Sequence, residues 1–323
     1  MSDLLNSSSE AASHSLRSAP LPSLAVISVS GADAVSFLHG QITQDVQNLS
    51  NEARLAGYCS PKGRLLATLA VWQTNAPDGL SELHLLMRAD IAQAVVKRLS
   101  MFVLRAKAKL TITTATVTGL SIDANQAADL GQTLGTTLPT APWQLAHLPQ
   151  GIWITAPSAD PTRLRGWLIN EAGDQTSTEA NASEASWDAE DIAAGLPWIG
   201  ATTQDLFIPQ TLNLDLIGGV SFTKGCYPGQ EVVARSHYRG TVKRRMAAGT
   251  ATATPDALPG VDVFQASRDD APCGRIINAA TVGDTTQLLF EAPFDAVDEG
   301  DLRIGAANGT AINVVPLPYP TRG

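Results

Sequence analysis

GGVSFTKGCYPGQEVVARSHYRGTVKRR, Gly218 to Arg245, is where the character of the chain changes. Before it, helical and strand-like patterns alternate. After Val242 the helical pattern is gone, and short apolar segments such as VDVF, GRIINAATV, QLLFEAP and AINVVPL are separated by Gly, Pro and Asp turns. That second pattern predicts a small β-barrel or sandwich. Within the stretch itself, Val220 to Phe222 reads as a short strand interrupted by Lys224-Gly225. Tyr227-Pro228-Gly229-Gln230 then places Pro and Gly at the central positions of a type II turn. From Gln230 onward Val232, Val233 and Tyr238 fall at helical spacing, and Glu231 sits where a helix start accepts an acid. Cys226 is thus expected just ahead of a helix N-terminus and two residues from Lys224, both of which favour a thiolate. The alternative reading is a buried structural cysteine. Residues 224 to 245 carry six bases and one acid, a local charge of +5 in a chain of net charge −9. A field of that kind favours an anionic partner.

Upstream, LAVISVS (Leu24 to Ser30) alternates as a strand does, and Ala32 to Ile42 places Val35, Phe37, Leu38 and Ile42 near one helical face. Leu55 to Cys59 and Leu65 to Trp72 flank the turn signal SPKG and predict a hairpin. SELHLLMR (Ser81 to Arg88) reads as a strand, followed by an amphipathic helix with Asp90 as its expected N-cap. Lys109 to Val117 is β-branched and strand-like. Strands near Trp143 to Ala146 and Ile152 to Thr155, and a helix around Leu164 to Ile169, repeat the theme more weakly. Hairpins mixed with crossover helices predict an α+β fold. Glu171 to Ser186 lacks aromatic and large aliphatic residues and reads as a linker. WDAEDIAAGLPWIG beyond it reads as a short helix stopped by Gly195 and Pro197.

The 323 residues, 44% hydrophobic and 16% charged, suffice for one large core or two to three smaller ones. There is no apolar run of about 18 residues to span a membrane. Residues 1–22 read as a disordered tail rather than a secretory signal. Cys59, Cys226 and Cys273 are odd in number and lack a CxxC pair, so neither a disulfide framework nor a zinc site is expected, and a reducing cytoplasm is the default. Overall acidity argues against stable direct nucleic-acid binding. His39 reads as a helix-face residue. Asp45 reads as a pocket acid or a local cap. The Lys243-Arg244-Arg245 triplet reads as a solvated strand edge protected by charge.

KGCYPGQE (Lys224 to Glu231) resembles the signature octapeptide of the YgfZ family. FLHGQITQDV (Phe37 to Val46), GYCSPKGRLLA (Gly57 to Ala67), AAGLPWIG (Ala193 to Gly200), FIPQTLNLD (Phe207 to Asp215) and PLPY (Pro316 to Tyr319) resemble its other blocks, in the family's order. The resemblance implies two ferredoxin-like α+β units around a central cavity plus a C-terminal small β-barrel, a fold related to the aminomethyltransferase of the glycine cleavage system. On that plan residues 23–109 and 187–241 form the first unit, 110–186 the second with its linker, and 242–323 the barrel.

The resemblance also implies tetrahydrofolate or a derivative as ligand, and a role in maintaining iron–sulfur proteins or their assembly factors, including enzymes that thiolate tRNA. It points to Cys226 and Lys224 as the chemically active pair, with Gly225, Tyr227, Gly229, Gln230 and Glu231 supporting them. Trp187 matches a tryptophan that the family associates with folate, where it either stacks on a pterin or anchors the core. The family's second aromatic is here Leu24. Arg235 and Arg239 are candidates for the folate carboxylates. Three readings follow: a folate-binding accessory protein for iron–sulfur enzymes, a folate-dependent aminomethyl- or methyltransferase, and a non-catalytic interaction scaffold. The octapeptide weighs against the transferase.

Overall fold

The computed structural model describes residues 16–75, 79–170, 179–238, 242–268 and 271–322. The chain begins with β1 (Arg17–Pro20), β2 (Leu24–Ser30), α1 (Ala34–His39), β3 (Arg54–Cys59), β4 (Leu65–Asn75) and β5 (Ser81–Arg88). It continues through α2 (Ala89–Val103), β6 (Lys109–Ile112), β7 (Thr116–Asp123), α3 (Ala127–Leu134), β8 (Leu145–Leu148), β9 (Gly151–Thr155) and β10 (Arg163–Asn170). After α4 (Glu184–Ala193) and α5 (Gln230–Tyr238) come β11 (Arg244–Thr252), β12 (Asp262–Gln265), β13 (Gly274–Val282), β14 (Thr285–Pro293), α6 (Phe294–Glu299), β15 (Leu302–Ile304) and β16 (Ala311–Val315).

Two antiparallel five-stranded sheets share one plan. The first is ordered β3-β4-β5-β2-β6 and the second β8-β9-β10-β7-β1. In each, a strand is followed by helical structure and a three-strand meander whose last strand returns to pair with the first. The fifth position differs in origin. In the first sheet it is β6, reached through α2; in the second it is β1, supplied from the N-terminal side of the chain. Arg17–Pro20, expected in the disordered tail, is therefore an edge strand with Ser18 opposite Leu120. Four residues carry no readable period, and their partner lies about a hundred positions away.

The segment around Leu164 to Ile169, expected to be helical, is the central strand β10, flanked by β7 and β9. Its near-continuous apolar run reflects burial on both faces, a pattern that periodicity does not distinguish from a buried helix. Gly166 is required there, because a Cβ would lie 2.2 Å from the Trp153 ring. Asp90 lies inside the first turn of α2 rather than capping it, and its carboxylate accepts from Ala201 N at 2.9 Å. Lys109 to Val117 divides between β6 and β7, one in each sheet. Val220 to Phe222 forms no strand; Ser221 N donates to Thr43 O instead.

The C-terminal strands close into a six-stranded barrel, β11-β14-β13-β12-β15-β16, with β16 returning to β11. Closure removes the edge that the Lys243–Arg245 triplet was expected to protect. Arg244 instead grips Glu291 through two hydrogen bonds, and Arg245 grips Asp215 at 2.8 and 2.9 Å while donating to Gln210 O. Arg245 thereby clamps the barrel to the body, whereas Arg244 ties β11 to β14 within the barrel. A register shift between Ile276 and Asn278 accompanies a second clamp, in which the Asn278 amide pairs with the backbone of Trp198. Beneath it Trp167 meets Trp143, Trp187 and Trp198 at centroid distances of 5.8, 6.2 and 6.1 Å, consistent with attractive aromatic geometries.

Candidate functional site

The turn expected at Tyr227–Gln230 is present: Gln230 N donates to Tyr227 O at 3.2 Å, and Gly229 has φ +81°. Its position explains both glycines of the two motif blocks it joins. A Cβ on Gly229 would lie 2.5 Å from Ser60 O, and one on Gly63 would lie 2.7 Å from Val232 Cβ. The SPKG and YPGQ turns thus pack backbone to backbone. α5 begins directly after the turn, with Glu231 in its first turn paired to Arg235 at 2.9 Å on an exposed face. Arg235 and Glu231 thus face each other one turn apart on the helix surface. Arg239 lies outside the described residues.

Lys224 is the buried member of the motif, 8% exposed. Its Nζ donates to His39 O at the end of α1 and to Ile42 O at 2.8 Å, and it lies 4.9 Å from the centre of the Tyr227 ring. Burial pulls the Lys224 pKa down to about 8 against the opposing pull of Asp45 and Cys226. Burial likewise raises the Tyr227 hydroxyl. A lysine holding the carbonyl that ends α1 and a second carbonyl three residues on is a fastener: it ties the FLHGQITQDV block to the loop that carries Cys226. Cys226 itself is exposed, whereas Cys59 is buried and has its thiol pushed up to about 12 by desolvation.

His39 and Asp45 complete this neighbourhood. His39 Nδ1 lies 3.4 Å from Asp45 Oδ1, an ion-pair distance, and the His39 pKa is lowered by burial first and by Lys224 second. Asp45 also accepts from Gln47 N at 2.9 Å, the local cap that its sequence allows. A Cβ placed on Gly225 would be 3.8 Å from His39 Nε2. His39 is the residue that sequence reasoning underrated. The only available signal was its place in the FLHGQITQDV block.

Trp187 is elsewhere. It is 3% exposed and is covered by the Arg165 guanidinium, 4.1 Å from the ring centre, and by the backbone of Gly119. Arg165 is itself buried and bonded to Asp191, which also accepts from Trp198 Nε1. Of the two readings of Trp187, this geometry is that of the core anchor. Desolvation raises Asp191, and it raises neighbouring Asp188 to about 6 despite Arg88 at 3.5 Å.

A cavity of about 1120 Å³ opens between the two sheets, lined from β2, β4 and β5 on one side and from the β8–β9 hairpin on the other. Its size reaches the upper end of small-molecule pockets, ~300–1,000 Å³. Trp72 and His84 stack in its wall at 5.2 Å and 16°, and His84 Nε2 is 2.8 Å from Thr74 Oγ1. Gln73, Asn75 and Glu82 add amide and carboxylate groups. Among the described residues the lining includes no Lys or Arg, and Lys224, Cys226, Trp187 and Arg235 are not part of it. The structure therefore separates two centres, a polar cavity between the sheets and a thiol-bearing turn at the joint. Among the described residues no three His, Cys, Asp or Glu side chains converge as metal ligands, and no helix is long and apolar enough to cross a membrane.

Comparison with known proteins agrees with this architecture. The chain is 29% identical to the tRNA-modifying protein YgfZ of Vibrio atlanticus over 301 residues, 91% of this chain and 89% of that protein. The proteins of the same name from Edwardsiella ictaluri and Hamiltonella defensa are 31% and 33% identical, over 91% and 80% of this chain and 90% and 77% of theirs. Among solved structures, aminomethyltransferase T of the glycine cleavage system from Bartonella henselae aligns with a TM-score of 0.71. It covers 95% of this chain and 87% of that one at 16% identity, a likeness of fold. No family model matches the chain.

Proposed function

The chain belongs to the YgfZ family of tRNA-modifying proteins, and from that premise we propose that it is a tetrahydrofolate-binding accessory factor for iron–sulfur enzymes, including those that thiolate tRNA. The observation that carries the reading is the cavity between the sheets. A pterin is flat and presents alternating donors and acceptors along one edge. The cavity offers the stacked Trp72 and His84, the Glu82 carboxylate and the Gln73 and Asn75 amides. Trp72 Nε1 is in addition a buried donor without a partner. These residues fit the bicyclic ring. They do not neutralise a glutamate tail, since the described lining has no cation, so the tail carboxylates remain toward solvent.

When bound, the folate supplies a one-carbon carrier. The chain's own groups bind and orient its ring, and their separation from Cys226 supports an accessory role over a transferase in which thiol and folate share one pocket. Cys226 is the exposed group offered to a partner iron–sulfur protein or assembly factor, in the cytoplasm, and Lys224 holds its loop. The test is complementation of a bacterium lacking its own family member, scored by tRNA thiolation and iron–sulfur enzyme activity, beside calorimetry with tetrahydrofolate. Wild type is expected to restore both activities and Cys226→Ala neither, with tetrahydrofolate bound by both proteins. A fully active Cys226→Ala, or the absence of any heat with tetrahydrofolate, defeats the reading.

A further inference from the structure

Net charge conceals how the cations are distributed. Of the fifteen described arginines, twelve pair with a carboxylate; Arg64, Arg98 and Arg105 do not. The six lysines make no ion pair with a described carboxylate. Five of these nine uncompensated cations fall in one stretch of thirteen residues without an acid, Lys97-Arg98-Leu-Ser-Met-Phe-Val-Leu-Arg105-Ala-Lys107-Ala-Lys109. The stretch is the end of α2 and the loop into β6. Lys97, Arg105, Lys107 and Lys109 are exposed. So are Met101, Phe102 and Leu104, at 60, 44 and 88%. Leu104 ends the helix with φ +44°, a conformation that a side chain rarely adopts, and it projects the apolar group outward. Asp33, which adjoins the stretch, accepts from the backbone N of Lys107 rather than pairing with a lysine.

We propose that this surface docks RNA, its four exposed cations on the phosphate backbone and Phe102 against an unstacked base. The inference rests on the family reading above, from which tRNA is the RNA of interest. Edge protection explains Lys107 and Lys109, which flank the unpaired side of β6, but it explains neither Lys97 and Arg105 on the helix side nor an exposed aromatic among them. A chain of net charge −9 that pairs most of its arginines yet leaves these cations bare has a local surface fitted to a polyanion. Phosphates answer the charge, and aromatic stacking answers Phe102. An anionic membrane and an acidic protein are the competing occupants.

The experiment titrates the full chain with unfractionated tRNA by fluorescence anisotropy between 50 and 200 mM salt, with tetrahydrofolate calorimetry on the same preparations. With the four exposed cations engaged, log K is expected to fall against log salt with a slope of about −3 to −3.6. The variant Lys97→Gln/Arg105→Gln/Lys107→Gln/Lys109→Gln is expected to weaken tRNA binding at least ~10-fold at 50 mM salt and to flatten the slope, since each lost phosphate contact removes about 0.7–0.9 from it. Phe102→Ala is expected to weaken binding ~5-fold or more with the slope unchanged. Lys62→Gln/Lys243→Gln, at two bare lysines outside the patch, serves as the control and leaves binding as it is. The proposal is overturned by any of three results: no tRNA binding at 50 mM salt, equal binding by the quadruple variant and wild type, or displacement of tRNA by polyglutamate or phosphatidylserine vesicles at matched charge. Tetrahydrofolate binding retained in those cases leaves the folate reading standing; its loss in wild type strikes that reading alone.

Discussion

Replacing Lys224 by methionine isolates what its buried ammonium does. The substitution keeps the length of the side chain but leaves His39 O and Ile42 O without their donor, and a buried acceptor left unpaired costs ~1–3 kcal/mol. Against this stands the desolvation that brings the Lys224 pKa from 10.5 to about 8. Between those values the unfolded chain binds a proton that the native protein does not, so the native state gains stability as pH rises from 8 to 10.5 and loses it again as pH falls through 8. The full change between those two values corresponds to ~3 kcal/mol. The cost of Lys224→Met is therefore small near pH 7, where the wild type bears its desolvated charge, and grows by up to ~3 kcal/mol toward pH 10. Urea unfolding of both proteins at pH 6, 7, 8, 9 and 10 measures the difference, and taking the difference cancels the titrating groups that do not interact with Lys224, while His39, whose pKa Lys224 lowers, contributes only at the acidic end of the range. A difference that stays constant with pH refutes a desolvated ammonium. A difference near zero throughout refutes the fastener itself. The thiol-labelling rate of Cys226 in the folded variant then reports whether its loop has come loose.

Asp188→Asn is expected to stabilise the protein at pH 7 to 8 by ~1–3 kcal/mol and not at pH 4, because burial raises the Asp188 pKa to about 6 and its ionised form strains the native state only above that value. Thermal unfolding at the two pH values decides it. Gly229→Ala places a Cβ 2.5 Å from Ser60 O at positive φ, so a loss of ~1–3 kcal/mol and separation of the two turns are expected, read as faster protease cleavage near Gly63. Arg245→Met strands the buried Asp215 carboxylate and is expected to cost ~3–5 kcal/mol, with Arg245→Met/Asp215→Leu recovering most of it in the same denaturation assay.

Local physics was legible in the sequence, and long-range pairing was not. The Pro-Gly turn, α5, the hairpin around SPKG, β2 and the barrel follow from signals within ten residues of one another. β1 was invisible because, among the described residues, the strand it pairs with is β7, about a hundred positions on. β10 was misassigned because burial on both faces erases the alternation that marks a strand. The basic run at Lys243 to Arg245 was readable as charge but not as two ion pairs, one within the barrel and one to the body, since Asp215 and Glu291 lie about thirty and fifty positions away. The two readings of Trp187, pterin platform and core anchor, stayed level because nothing in its neighbourhood of sequence announces Arg165 over its ring. The cavity was harder still: its walls come from both sheets, and no segment of the chain contains both halves.

The fifth strand of the second sheet carries a consequence for assembly on the ribosome. β6 emerges shortly after β5, so the first sheet has all its strands once residue 112 is made. β1 is synthesised before the rest of its sheet and must wait about a hundred residues for β7, and longer for β10, before that sheet has a centre to join. The chain is thus a loop fastened late: a strand made before both sheets is among the last to find its place, and a deletion of Arg17–Pro20 should leave the first sheet intact while exposing the flank of β7. Hydrogen exchange on such a deletion would show protection lost along β7 and kept along β2.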